Sequence, residues 1–102
     1  MLFCGKRIED LWLVTMDGKP LNLADGLCYR FLERSGGDIG KYVSGAIAFT
    51  ILQQVLGNDE WAERMYETYR NEVIDKKLKQ DEPWELRETA VREWMRSYGY
   101  RV

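Results

Sequence analysis

Histidine is absent from this 102-residue chain, and its only thiols are Cys4 and Cys28. Without histidine there is no Ser/His or Cys/His nucleophilic pair and no imidazole-ligated metal. Two cysteines supply neither a zinc site by themselves nor a disulfide framework. Reduced, part-buried thiols are the simple reading, and a single bridge between two strands is the alternative. No apolar run reaches the roughly 18 residues of a membrane span, because Gln53 and Gln54 interrupt the longest one. The opening MLFCGKRIED is apolar for only four residues before charge arrives, so no secretion signal and an intracellular location are expected. Charge of one sign is lacking too. The net charge is −2, with residues 1–58 balanced, 59–82 acidic by three and 83–102 basic by one. That distribution creates no overall attraction to phosphate backbones or acidic membranes. Asn and Gln number three each against 32 charged residues, a bias seen in proteins of hot environments.

What is present reads as one α+β domain over residues 1–102, strands first and helices after. Leu2–Arg7 predicts a short strand ending near Gly5, and Leu11–Met16 a stronger one. Asp17-Gly18 is a hairpin turn signal, with Leu21-Asn22-Leu23 as the return strand. Leu27–Leu32 fits a helix or a strand, and its flanking turn signals favour the strand. The stretch from about 40 to 56 is the organising helix. It carries no charge from Tyr42 onward, with Val43, Ile47, Ile51 and Val55 in one row and Ala48, Leu52 and Leu56 in another. Apolar rows on more than one side predict burial on more than one side. Gly57 should stop this helix and Asn58 cap the next, from about Asp59 to Lys77, with Trp61, Ala62, Met65, Tyr66, Tyr69, Val73 and Ile74 inward. Pro83 would stand in the first turn of a third helix, or in the approach to it, and the stripe of that helix is Leu86, Ala90, Val91, Trp94, Met95 and Tyr98. The expected architecture is a small antiparallel β-sheet, an N-terminal hairpin plus one or two strands, packed on three α-helices.

Several of these pieces together, LFCGKR, VTMDGKPL, GAIAFTILQQVLG, AERMYETYRNEVI and PWELRETAVREWM, resemble an uncharacterised prokaryotic and viral domain family. The resemblance implies a hairpin, a Gly-rich passage into an Ala/Leu-rich helix, a helix carrying Tyr or Phe, and a Trp-x-Leu lead-in to a final helix. It implies no activity and no catalytic residues. Where the family has an aromatic, Gly-rich run with a proline at the helix start, this chain reads RFLERSGGDIGKYVSG. Size and composition are also similar to small accessory proteins of archaeal filamentous viruses, for which the host cytoplasm is the expected location.

Chemical candidates are few. Ser35, Gly37, Gly40 and Lys41 could present backbone N–H groups to an anion at a helix start. A nucleotide-binding loop ending in Gly40-Lys41 would need glycine at Ser35 and Ser or Thr at Tyr42. Lys76, Lys77, Arg92, Arg96 and Arg101, with Tyr98 and Tyr100 for stacking, form the candidate set for nucleic acid. Glu85, Glu88 and Glu93 alternate with the arginines, as on a salt-bridged surface. Asp59/Glu63 and Glu85/Glu88 are carboxylate pairs on which a metal-dependent enzyme could be built, the least favoured class. No catalytic residue, metal ligand or cofactor is assigned. The leading expectation is a non-enzymatic protein acting by contact with another protein or with a second copy in a homodimer. Nucleic-acid binding is the alternative, and no membrane is involved. An exposed aromatic cluster would mark such a contact surface.

Overall fold

In the computed structural model, residues 1–9, 11–21 and 39–101 are described. The chain forms two compact units, Met1–Leu21 with Asp81–Val102, and Asn22–Gln80. The class is α+β.

The first unit contains a four-stranded antiparallel sheet of order β3-β2-β1-β4. Its strands are β1 (Leu2–Ile8), β2 (Leu11–Met16), β3 (Lys19–Pro20) and β4 (Trp84–Arg87). Asp17 and Gly18 join β2 to β3 with φ of 53° and 82°, the positive values a two-residue type I′ turn requires. Leu21 continues that pairing by donating its N–H to Val14 O at 2.8 Å. The sequence expectations at Asn22, Leu23 and 27–32 lie outside the described residues.

Two expectations are corrected here. β1 runs past Gly5 to Ile8, because Gly5 is a working position of the strand. It is paired across from Trp84, whose indole atoms lie 2.1–2.4 Å from where a Cβ would stand. The missing side chain makes room for the ring. Second, Trp84–Arg87 is a strand, not the first turn of a helix. Trp-Glu-Leu-Arg alternates apolar and charged, so Trp84 and Leu86 share one buried face. Pairing with Leu2–Gly5 then supplies the ladder hydrogen bonds. The last helix, α3 (Glu88–Ser97), starts directly after, its Glu88 N–H bonded to Met1 O at 3.0 Å. Val91 and Met95 are its buried residues, whereas Ala90 is exposed. Gly99 follows the helix at φ 87°.

The second unit is built on α1 (Ile39–Leu56). Every residue from Ser44 to Leu52 is buried, so the helix is enclosed on all sides over two and a half turns. Its buried hydroxyl on Thr50 donates back to Ala46 O at 2.7 Å. Gly57, at φ 61°, ends it, and Asn58 Oδ1 accepts from Trp61 N at 3.1 Å to cap the next helix. That helix, α2, runs Asp59–Tyr69, passes through a π-helical turn Arg70–Ile74 and continues as Asp75–Lys79. Helices α1 and α2 meet where Gly45 admits Tyr66 and Arg70, and where Phe49 and Tyr66 pack edge-on with ring centroids 6.1 Å apart.

Candidate protein-interaction face

Cross-strand partners in an antiparallel sheet lie on the same side, so the register sorts the sheet residues into two faces. One face carries Phe3, Gly5, Val14, Trp84 and Leu86, all buried. The opposite face carries Leu2, Cys4, Lys6 and Ile8 from β1, Leu11, Leu13 and Thr15 from β2, and Glu85 and Arg87 from β4. A solvated sheet face should be polar. Lys6, Thr15, Glu85 and Arg87 obey that rule. Ile8, Leu11 and Leu13 break it, with 46%, 75% and 38% of their surface exposed. Ile8 and Leu11 are direct cross-strand partners, and Leu13 follows two residues along β2 beside Lys6. The three side chains therefore form one contiguous aliphatic patch at the β1–β2 end of the sheet.

The hairpin bearing the patch is held at both ends. Near the patch, Arg7 Nη1 pairs with Asp81 Oδ1 at 2.6 Å while its Nε donates to Glu9 O at 3.0 Å. Away from it, Asp17 Oδ1 accepts from Leu2 N at 2.8 Å, and Asp17 N donates to Leu2 O at 2.9 Å. Lys6, exposed, stands on this face across from Leu13, and Glu9, also exposed, is in the turn that follows β1 at φ 55°. Cys4 is a free, half-buried thiol on the same face.

The sequence candidates fall elsewhere. Ser35 and Gly37 lie outside the described residues, and Gly40 and Lys41 are in the first turn of α1. Lys76 and Lys77 close α2 in the helical unit, while Arg92, Arg96 and Arg101 belong to the sheet unit. Arg92 Nε is bonded to Glu88 Oε2 at 2.9 Å. That hydrogen bond, followed by one from the N-terminal ammonium at 3.2 Å, holds the Glu88 carboxyl below its ordinary pKa. Burial pushes the Tyr69 phenol well above its ordinary value. Glu85 is on β4 and Glu88 on α3, so that carboxylate pair is divided between two elements. Among the described residues no three Cys, Asp or Glu side chains are grouped to hold a metal. Nor is any helix there long and apolar enough to cross a membrane.

Aromatic side chains do not make the exposed surface. Trp84 is buried, Trp12, Trp61 and Trp94 are half-buried, and Tyr98, tilted 45° against Trp94 with ring centroids 4.8 Å apart, is the exposed ring among the large apolar residues described. The aliphatic patch is what sequence reasoning missed. Its signal was present in Leu11-Trp-Leu-Val14, a run too continuously apolar for a strand with one wet face.

A family model described as a family of unknown function, DUF6166, matches residues 3–97. No curated protein and no solved structure matches the chain.

Proposed function

We propose that this chain, which belongs to the family of unknown function DUF6166, acts by protein–protein contact through the outer face of its sheet. The observation that carries the reading is the aliphatic patch of Ile8, Leu11 and Leu13, exposed on a face that also carries Lys6, Thr15, Glu85 and Arg87. Exposed apolar side chains grouped on a braced hairpin gain free energy only when another surface covers them. The occupant is a protein partner or a second copy of the chain, and an intracellular setting accords with the free Cys4 thiol. No catalytic role is assigned: Glu85 and Glu88 lie on separate elements, and Asp59 and Glu63 share the start of α2.

A photo-crosslinking side chain at position 11 tests the reading in cells expressing the protein. It should form a discrete protein adduct, and the same group at exposed Lys79 should not. Equal labelling at both positions, or none at 11, would reject the face.

A further inference from the structure

We infer that the Asp17-Gly18 turn is a site of aspartyl isomerisation that the fold holds shut, and that the reaction, once run, unhooks the hairpin bearing the aliphatic patch. An aspartate followed by glycine can close a succinimide on itself, because glycine leaves its amide nitrogen unhindered. The Gly18 nitrogen attacks Asp17 Cγ, a C–N bond forms, and the carboxyl OH leaves as water with the amide proton. Water then opens the ring at either carbonyl. Attack at the side-chain carbonyl restores aspartate. Attack at the main-chain carbonyl leaves Gly18 joined through Cγ, which is isoaspartate, with one more methylene in the backbone. One water is lost and one regained, so the step needs no other reactant.

The turn supplies the reacting pair and withholds the geometry. Both residues are exposed, and a Cβ placed on Gly18 would meet nothing within 4 Å, so solvent reaches them. Ring closure, however, needs Asp17 Cβ and the Gly18 nitrogen eclipsed about the Cα–C bond. A type I′ turn, with φ of 53° at Asp17 and 82° at Gly18, carries ψ of about 30° at its first central residue. That value sets the Gly18 nitrogen nearly anti to Cβ, away from the carboxyl. Hydrogen bonds to Leu2 hold Asp17 in place as well: Oδ1 accepts from Leu2 N at 2.8 Å, and Asp17 N donates to Leu2 O at 2.9 Å. Reaction therefore waits for the turn to open, a local event that needs less free energy than global unfolding.

The product does not fit the same turn. A two-residue loop has no room for the added methylene, and the tie from Leu2 N to the aspartate side chain goes. The pairs Thr15–Pro20 and Met16–Lys19, which that loop sets in register, go with it. So does the brace that holds β1 at the end away from the patch. Isomerised copies thus record how often the hairpin has opened.

Incubating the native protein in buffer and in urea tests the inference, with isoaspartate located by methyltransferase labelling and electron-transfer fragmentation. Asp17 should convert in urea, as should Asp25-Gly26, the other Asp-Gly pair of the sequence. In buffer, conversion at Asp17 should be at least about tenfold slower. Leu2→Pro removes the N–H that holds Oδ1 and keeps the Leu2 carbonyl. It should speed conversion in buffer and leave the rate in urea unchanged, a cooperative melt showing that the variant folds. Asp17→Asn keeps an oxygen for Leu2 N and registers deamidation as a mass gain, and it should show the same contrast between buffer and urea. Material isomerised at Asp17 should refold with a lower melting temperature than unreacted material treated alike. Equal rates in buffer and urea, or a folded Leu2→Pro that converts at the native rate, would overturn the protection. An Asp17 that stays intact in urea while Asp25 converts, or an unchanged melting temperature after conversion, would overturn the site.

Discussion

Gly5 and Trp84 are the residues on which the sheet depends most narrowly. A methyl group at Gly5 would stand 2.1–2.4 Å from the indole, so Gly5→Ala must displace a buried ring or open the β1–β4 pairing. Overpacking of this kind costs about 1–3 kcal/mol, and the melting temperature should drop accordingly. Tryptophan emission should shift to the red as Trp84 meets water. A variant with native melting temperature and emission would mean that the ring is not held there. Glu88 makes a different residue-scale prediction. Its folded-state pKa is lowered, first by the Arg92 hydrogen bond and then by the N-terminal ammonium. A lowered carboxylate pKa adds stability above the unfolded-state value and loses it as pH falls through the folded one. The difference in melting temperature between native protein and Glu88→Gln should hold from pH 7 to about 5 and close on further acidification. A difference that widens in acid would contradict the assignment.

At the scale of elements, the π-turn in α2 explains how two apolar patterns are joined. Ala62, Met65, Tyr66 and Tyr69 are buried at helical spacing, and a regular helix would next bury Val73. Instead the wide turn Arg70–Ile74 absorbs one extra residue and brings Ile74 to the fully buried position, leaving Val73 only half-buried. Deleting the exposed Asn71 should let α2 become a continuous α-helix with the same inner face, preserving cooperative unfolding. Deleting Glu67 from the regular part would rotate everything after it by about 100° and should abolish the fold. Circular dichroism and thermal melts of the two deletions compare these outcomes. In α1, Ile47→Asp should unfold the protein, since it puts a charge at a position with no exposure. Ile51→Asp and Leu52→Asp should be equally damaging, and a near-native cooperative melt in any of them would relocate the core.

The same elements explain what could be read in advance. The charge-free run of α1, the Asp17-Gly18 turn and the Asn58 cap are local signals, each decided by a few neighbouring side chains. Strand β4 was hidden because four residues give alternation little length, and because Leu86 and Ala90 also satisfy a helical i, i+4 spacing. Its strand state is set by pairing with residues 79–85 positions earlier, which no local pattern encodes. The π-turn was hidden because Val73 and Ile74 are both apolar, so either could have been the inner residue. The aliphatic patch required knowing which side of the sheet each residue of Leu11-Trp-Leu-Val14 faces, and that follows only from the register.

For the molecule as a whole, charge decides between protein contact and nucleic-acid binding. The five candidate cations are divided between two units: Lys76 and Lys77 in one, Arg92, Arg96 and Arg101 in the other. Arg92 is already bonded to Glu88, so a phosphate would have to displace a carboxylate at 2.9 Å. The chain as a whole carries a net charge of −2, which opposes the long-range attraction that such binding normally uses. Binding to single- or double-stranded DNA or RNA should therefore be no tighter than the nonspecific range of roughly 10⁻⁴–10⁻⁶ M at physiological salt. If phosphates are gripped at all, Arg92→Gln/Arg96→Gln should weaken binding to every sequence alike. Each lost phosphate contact should reduce the slope of log affinity against log salt by about one. Gel shifts at two salt concentrations measure both quantities. Submicromolar binding that vanishes in the double variant would overturn the preference for protein contact, because a negatively charged chain can reach that affinity only by concentrating its arginines on one phosphate-tracking surface.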